Sequence, residues 1–154
     1  MDLILWRHAD AHPIGKSGEF DHLRRLTSKG RKQAGAMAKW LDRHLPESAR
    51  VLVSPAARAV ETADALERRY TIRDELAPGS QPASILAMAQ WPTAKHPVVI
   101  VGHQPALGQI ASLLICGEEN ELQVRKAGIW WISKRPGDDH PRPILRAAIC
   151  PEYL

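Results

Sequence analysis

The strongest constraint on the fold is a short apolar run near the start of the chain that stops on two polar residues. Residues 3–6 are all apolar, and Arg7 and His8 follow directly. Four apolar residues in a row are typical of a strand that is buried on both faces. Arginine and histidine are rarely buried without partners, so we expect both to lie where the strand leaves the sheet. In open α/β sheets, this carboxyl end of the strands is where ligands bind.

Two later stretches repeat this arrangement. Residues 51–53 and 97–101 are apolar; Ser54 follows the first, and His103 lies two residues beyond the second. A helical pattern follows each strand, and Arg58 falls at the start of the helix after Ser54. Free backbone N–H groups at a helix N-terminus favour an anion. We therefore expect the side chains of three strand ends to meet at one rim.

The remaining patterns complete an α/β architecture. We predict helices from a Thr27 N-cap to Pro46, from a Ser54 N-cap through Leu66, over 82–90 and across 107–114, a short strand at 70–73, and a hairpin of 127–133 with 144–149. Residues 9–26 are predicted to form a long loop, and loops of this length are most often functional. The predicted fold is a single domain over residues 1–154, a three-layer α/β/α arrangement whose mostly parallel sheet carries an antiparallel edge hairpin.

The composition narrows the class of protein. The chain has 154 residues, 44% of them hydrophobic, and a net charge of +4 that permits an anionic partner. Cys116 and Cys150 have neither disulfide-framework nor metal-ligand spacing, so we expect buried, inert thiols in a cytoplasmic protein. We expect no signal peptide and no membrane association, because no apolar stretch approaches the ~20 residues of a membrane span.

Two arginines and two histidines at one rim describe a pocket for a dianion such as a phosphoryl group. Arg7 and Arg58 each offer a planar, permanently charged fork that matches phosphate oxygens. One neutral histidine can attack phosphorus and form a phosphohistidine that water then hydrolyses. The second can donate a hydrogen bond to the phosphoryl oxygens in its protonated form. We expect no metal ion and no other cofactor, because the sequence has no phosphate loop and no carboxylates at metal-ligand spacing.

Three stretches resemble signatures of the histidine phosphatase (phosphoglycerate-mutase-like) superfamily. They are Arg7-His8-Ala9, Ser54-Pro55-Ala56-Ala57-Arg58-Ala59-Val60-Glu61-Thr62-Ala63 and Val101-Gly102-His103-Gln104-Pro105. The small size and the stretch Asp21-x-x-Arg24-x-Leu26-Thr27 are most similar to the SixA branch, the phosphohistidine phosphatases. The resemblance covers nearly the whole chain, and the three signatures stand in the right order at predicted strand ends.

The resemblance implies a role for each rim residue. His8 would be the phosphorylated nucleophile, Arg7 and Arg58 would bind the phosphoryl group, and His103 would complete the pocket. It also implies a sheet between helices and chemistry without a metal ion. The expected function is hydrolysis of phosphohistidine on a protein such as a phosphotransfer domain.

The sequence departs from the family pattern in three places. Ala9 replaces the usual glycine, as in other SixA-like sequences, and Arg25 stands where those sequences usually have proline. Larger members carry an insert whose glutamate protonates the leaving group, and this chain is too short for it. Glu75 and Asp21 are the nearest candidates for that acid. An imidazole leaving group can arrive already protonated, so a phosphohistidine substrate needs a protein acid less than a phosphate ester does.

Several residues keep two interpretations. Ser54 is either a helix N-cap or a phosphate ligand, and Arg24 either binds substrate or forms a loop ion pair with Asp21. A basic cluster beside the long loop is either solvated or steers an acidic phosphoprotein toward the pocket; its members are Arg24, Arg25, Lys29, Arg31 and Lys32.

Alternative functions also stay open. A phosphatase of the same fold could act on small phosphate esters, and a non-catalytic module could bind phosphate without a nucleophile. We expect no nucleic-acid partner, because the basic residues are scattered and are not interleaved with aromatic side chains. We expect a monomer.

Overall fold

The core of the protein is one mixed sheet. The computed structural model describes residues 1–14, 20–137, 139–140 and 142–154. Within these residues, the sheet has six strands in the order β3-β2-β4-β1-β5-β6. The strands are β1 (Asp2–Arg7), β2 (Arg50–Val53), β3 (Thr71–Ile72), β4 (Val98–Gly102), β5 (Ile129–Ser133) and β6 (Ile144–Ile149).

The strand directions confirm the predicted sheet. Strands β1 to β4 are parallel, and β5 and β6 add an antiparallel hairpin beside β1. Arg7 of β1 pairs with Gly102 of β4, and Val53 of β2 pairs with Val101. The three long parallel strands therefore end at nearly the same level.

Helices cover both faces of the sheet, which confirms the three layers. They are α1 (Ser28–His44), α2 (Ala57–Asp64), α3 (Pro82–Met88) and α4 (Ala106–Cys116). Successive strand side chains point to opposite faces. Accordingly, Ile4 and Trp6 belong to the apolar cluster under α1 and α2, whereas Leu3 and Leu5 belong to the cluster under α3 and α4.

The predicted N-cap of the second helix is wrong. Helix α2 begins at Ala57 after Ala56, and no side chain caps it. Ser54 is fully buried, and its Oγ accepts the backbone N–H of Ala56 at 3.2 Å in the turn that precedes the helix. The Thr27 N-cap is confirmed, because its side chain accepts the backbone N–H of Gly30.

The segment predicted as a long loop is closed at its base. Ala11 and Leu26 form an antiparallel bridge, and the His12 N–H donates to the Arg25 carbonyl oxygen at 2.9 Å. Between them lies a short 3-10 helix, Asp21–Leu23. Residues 15–19 of the predicted loop lie outside the described residues.

The prediction that both thiols are buried is wrong. Cys116 is exposed and Cys150 is partly exposed, and both are free. Cys116 is the last residue of α4, and Cys150 follows the outermost strand β6, so neither is enclosed by the layers. In the described part of the chain, no helix is long and apolar enough to span a membrane.

Replacing Gly30 with alanine is expected to destabilise the protein. A Cβ at this position would lie 1.9 Å from the Asp10 carbonyl oxygen. That carbonyl accepts the Thr27 N–H at 3.0 Å, so the backbone cannot move away without losing a hydrogen bond. We expect Gly30→Ala to lower the free energy of unfolding by about 1–3 kcal/mol in urea denaturation.

Gly35 is the matched control on the same helix. A Cβ there would meet nothing within 4 Å. Alanine is the better helix former, so Gly35→Ala should raise the free energy of unfolding by up to about 1 kcal/mol. Equal effects of the two substitutions would contradict the close approach at Gly30.

Candidate active site

Three strand ends meet at one rim, as predicted. The His8 N–H donates to the Gly102 carbonyl oxygen at 3.1 Å, and the Ser54 N–H donates to the Val101 carbonyl oxygen at 3.0 Å. These bonds continue the strand pairing one residue beyond β1 and β2. They hold His8 and Ser54 beside the turn that carries His103.

His8 is buried, with 6% of its surface exposed, and two contacts orient its ring. Its Nδ1 lies 2.8 Å from the Ala9 carbonyl oxygen, which can only accept, so Nδ1 carries the proton. Nε2 therefore holds a lone pair, and Arg58 donates its Nε–H to it at 3.3 Å. This geometry leaves the Nε2 lone pair of His8 beside a fixed positive charge.

His103 stands opposite His8, and Ser54 orients it. The two imidazole centroids are 5.2 Å apart. His103 Nε2 lies 2.7 Å from Ser54 Oγ, which also accepts the N–H of Ala56, so the serine hydroxyl proton is free to donate to Nε2. The buried Nδ1 of His103 has no hydrogen-bond partner among the described residues. A phosphoryl oxygen at the rim would supply one.

Arg58 is held in place by the 3-10 helix of the loop. Only 3% of its surface is exposed. Its Nη1 donates to the Asp21 carbonyl oxygen at 2.8 Å, and its Nη2 lies 3.2 Å from the Asp21 carboxylate. The same carboxylate accepts the Nε–H of Arg24 at 2.9 Å, and Arg24 also donates to the His12 carbonyl oxygen. Asp21 thus bridges two arginines and is more than a partner in a local loop pair.

Arg7, which precedes His8 at the end of β1, is anchored by two backbone carbonyls. Its Nη1 donates to the Val124 carbonyl oxygen at 2.8 Å, and its backbone N–H donates to the Gly128 carbonyl oxygen. Its buried Nε makes no hydrogen bond within the described part of the chain. Since Nε–H is a donor, a bound anion could supply the acceptor that it lacks.

The electrostatics of the rim favour an anion. Burial lowers the pKa of the Arg7 guanidinium, and the charge of Arg58 lowers it further. Burial, followed by the neighbouring arginines, lowers the pKa of His8 to about 4. Burial and then His8 lower the pKa of His103 to about 3. Both imidazoles are therefore neutral in the ligand-free protein, and the protonated histidine expected from the sequence would require the charge of a bound phosphoryl group.

The two acidic side chains considered as proton donors lie in different surroundings. Partial burial alone would raise the pKa of Asp21, but the charges of Arg58 and Arg24 and their hydrogen bonds outweigh it and lower that pKa. Glu75 is exposed in the 3-10 helix Asp74–Leu76 after β3. In the ranges described, no group of three or more histidine, cysteine, aspartate or glutamate side chains could hold a metal ion.

Comparison with known protein families identifies the family to which this chain belongs. The family model of the histidine phosphatase superfamily (branch 1) matches residues 3–79, which include β1, α1, β2 and α2. The chain belongs to this superfamily. The matched stretch of this histidine phosphatase carries Arg7, His8 and Arg58, and His103 reaches the rim from β4 beyond it.

Individual relatives place the chain in the SixA type. It is 30% identical over 144 residues to the phosphohistidine phosphatase SixA homolog of Haemophilus influenzae, covering 84% of this chain and 85% of that protein. It is 31% identical over 126 residues to phosphohistidine phosphatase SixA of Escherichia coli, covering 77% and 76%. The structure of the protein histidine phosphatase SixA complexed with tungstate matches with a TM-score of 0.77 and 25% identity over 99% of each chain.

Sequence reasoning missed two positioning residues of this histidine phosphatase. Thr62 Oγ1 accepts the N–H of Ala9 at 3.0 Å and donates to the Arg58 carbonyl oxygen at 2.7 Å, so it ties α2 to the residue after His8. Glu61 accepts the Leu26 N–H at 2.7 Å and the Nε–H of Arg25. Both residues lie about one helical turn after Arg58, a spacing that indicates a shared helix face.

The lowered pKa of His8 predicts a neutral imidazole well below pH 6.5. Burial and adjacent positive charges disfavour the imidazolium, so the ring takes up a proton only near pH 4. We expect NMR signals of the His8 ring to keep the Nδ1–H tautomer from pH 8 down to about 5, and to titrate near pH 4. Because an unfolded chain binds that proton near pH 6.5, stability should fall as the pH decreases from 6.5 towards 4. A His8 midpoint close to 6.5 would contradict the buried, cation-flanked ring.

Proposed function

We propose that this histidine phosphatase removes the phosphoryl group from phosphohistidine on a protein, through a covalent phospho-His8 intermediate and without a metal ion. Two relatives named phosphohistidine phosphatases support the substrate class. The similar SixA structure binds tungstate, a tetrahedral dianion like phosphate. The observation that carries the proposal is the orientation of His8, whose Nδ1–H is held by Ala9 while Nε2 faces Arg58.

The first step transfers the phosphoryl group to His8. The Nε2 lone pair attacks phosphorus, and the bond between phosphorus and the substrate imidazole breaks, returning its electron pair to that ring. A substrate ring that is protonated on its other nitrogen leaves as a neutral imidazole. The step therefore needs no proton from the enzyme.

The second step returns His8 to its starting state. Water attacks phosphorus, the Nε2–P bond breaks, and the oxygen and protons of the water leave with inorganic phosphate. The Ala9 carbonyl keeps the proton on Nδ1 throughout, so His8 also leaves phosphorus as a neutral imidazole. The two steps are chemically symmetric, since each breaks a bond from phosphorus to an imidazole that is protonated on its other nitrogen.

The cations at the rim would stabilise the charge on the transferring group. The charges of Arg58 and Arg7 both act on His8, and loss of one such donor commonly raises a barrier by about 3–4 kcal/mol. Arg24, which pairs with the Asp21 carboxylate, adds a further positive charge near the rim. It is the candidate for contacts with the part of the substrate outside the phosphoryl group. His103 would donate to a phosphoryl oxygen, and Ser54 would hold its ring in position.

The surroundings of the acidic residues favour a phosphoamide over a phosphate ester. An alkoxide leaving group needs a proton donor, whereas a protonated imidazole does not. Asp21 is a poor donor, because its pKa is lowered and its carboxylate is bound to two arginines. Glu75 is the other candidate for the proton donor. Glu75→Gln tests whether Glu75 has this role, because the substitution should slow ester hydrolysis only if Glu75 is the acid.

The test is phosphate release in EDTA from two substrates. One is a phosphotransfer domain that carries phosphohistidine, and the other is a small ester such as phosphoserine. We expect turnover of the phosphoprotein with kcat/KM at least about 100-fold above that of the ester. Preference for the ester would instead favour a small-molecule phosphatase. Tungstate binding without turnover of either substrate would favour a phosphate-binding module, and dependence on added metal would contradict the metal-free chemistry.

A further inference from the structure

A groove of about 620 Å³ opens beside the rim, and neither step of the proposed reaction takes place in it. We propose that it docks an acidic amphipathic segment of the phosphohistidine-bearing protein, an inference that rests on the proposed function. We refer to it as the loop groove; the lining residues that matter here are Phe20, Leu23, Arg24, Arg25, Arg31 and Glu61.

The loop groove adjoins the candidate phosphoryl site through Arg24. Arg24 lines the groove and pairs with Asp21, and Asp21 in turn holds Arg58 by its backbone carbonyl and its carboxylate. Two residues, Arg24 and Asp21, therefore separate a segment in the groove from Arg58, the candidate phosphate-binding arginine. A protein substrate could place its phosphohistidine at His8 and still contact the groove.

Two large apolar side chains of the groove are exposed, although proteins usually bury such side chains. Phe20 and Leu23, at the start and end of the 3-10 turn, are 62% and 55% exposed. Large exposed apolar side chains that cluster in a concave surface commonly mark an interaction site. The occupant should therefore present apolar side chains of its own on one face.

The charge of the groove selects an acidic occupant. Its lining includes three arginines, Arg24, Arg25 and Arg31, and among the described residues that line it Glu61 is the one carboxylate. Arg25 contacts Glu61 through Nε, yet 76% of its side chain is exposed. Charges at the rim of an interface act mainly on association rate and salt dependence.

The experiment compares one protein substrate with one small substrate. The protein is an acidic phosphotransfer domain that carries phosphohistidine, and the small substrate is phosphoramidate, which cannot reach the groove and the pocket together. The variants are Arg25→Gln, which removes the charge, Arg25→Lys, which retains it, and Leu23→Ser. Lys95→Gln is the matched control, because exposed Lys95 precedes β4 and so lies at the opposite end of the sheet.

We expect Arg25→Gln to raise KM for the phosphoprotein about three- to tenfold at low salt, with kcat little changed. The difference should vanish near 1 M salt, where the Debye length falls to about 3 Å. Arg25→Lys should behave like wild type in salt dependence, and Leu23→Ser should raise KM at all salt concentrations. Arg25→Gln, Arg25→Lys and Lys95→Gln should hydrolyse phosphoramidate at the wild-type rate.

Three outcomes would overturn the inference. If wild type hydrolyses both substrates but Arg25→Gln and Lys95→Gln behave alike, the groove does not dock the substrate. If the groove variants change the sedimentation coefficient of the enzyme in the absence of substrate, the occupant of the groove is a second copy of the chain. If wild type hydrolyses neither substrate, the proposed function fails and the docking role falls with it.

Discussion

Replacing His8 with alanine is expected to reduce turnover of phosphohistidine by at least about 10⁴-fold. In the proposed mechanism, Nε2 of His8 attacks phosphorus, and the hydrogen bond from Nδ1 to Ala9 keeps the lone pair on Nε2. In the described part of the chain, the other imidazole at the rim is His103. Its Nε2 accepts from the Ser54 hydroxyl, so its Nδ1 carries the proton and neither nitrogen has a free lone pair. No neighbouring ring is therefore oriented to replace the lost nucleophile. The measurement is phosphate release from a phosphotransfer domain that carries phosphohistidine.

Ligand binding separates loss of chemistry from loss of fold in His8→Ala. Arg7, Arg58 and His103 remain, so tungstate should still raise the melting temperature of the variant by mass action. Turnover at the wild-type rate would rule out the covalent intermediate. Loss of both turnover and tungstate binding would indicate a collapsed pocket, and His8→Gln, which retains a polar side chain, would then be the variant to compare.

Arg58→Ala is expected to lower kcat about 10²- to 10³-fold and also to raise KM. Arg58 contacts Nε2 of His8 directly, so its charge lies next to the bond that forms. Its side chain is almost fully buried, and water cannot replace the lost donors as it could at the surface. The same substitution leaves the Asp21 carboxylate with Arg24 as its remaining arginine partner, which should also disturb the 3-10 turn.

Two further variants identify which property of Arg58 matters. Arg58→Lys keeps a charge but loses the planar fork, so it should recover part of kcat and little of the binding of tungstate. Asp21→Asn keeps Arg58 and removes the carboxylate that orients it, so its effect should be smaller than that of Arg58→Ala. A kcat of Arg58→Ala within about twofold of wild type would contradict a role in stabilising the transition state.

The position of the rim could be predicted because it depends on local sequence patterns. A buried strand such as β1 is recognisable from its apolar residues, and its end is marked by Arg7 and His8. Parallel strands bring such ends together whatever the details of packing. For the same reason, the helices that follow the strands and the antiparallel edge hairpin were predicted correctly, with boundary errors of a few residues.

The features that sequence reasoning missed depend on partners far along the chain. Ser54 followed by proline matches a helix start, but its hydroxyl contacts His103, 49 residues away, and the helix begins later. Asp21 pairs locally with Arg24, and its second partner Arg58 lies 37 residues away. Exposure of Cys150 follows from its place after an edge strand, which residue type alone does not indicate.

The most direct test of the central claim is to trap the covalent intermediate. Wild-type enzyme would be mixed with a phosphotransfer domain labelled with ³²P on histidine and quenched in alkali within milliseconds, since phosphohistidine survives alkali. We predict transient label on the enzyme, mapped by peptide mass spectrometry to His8, and no label on His8→Ala. Release of labelled phosphate by wild type while the enzyme stays unlabelled at every time point, or label at another residue, would contradict the account.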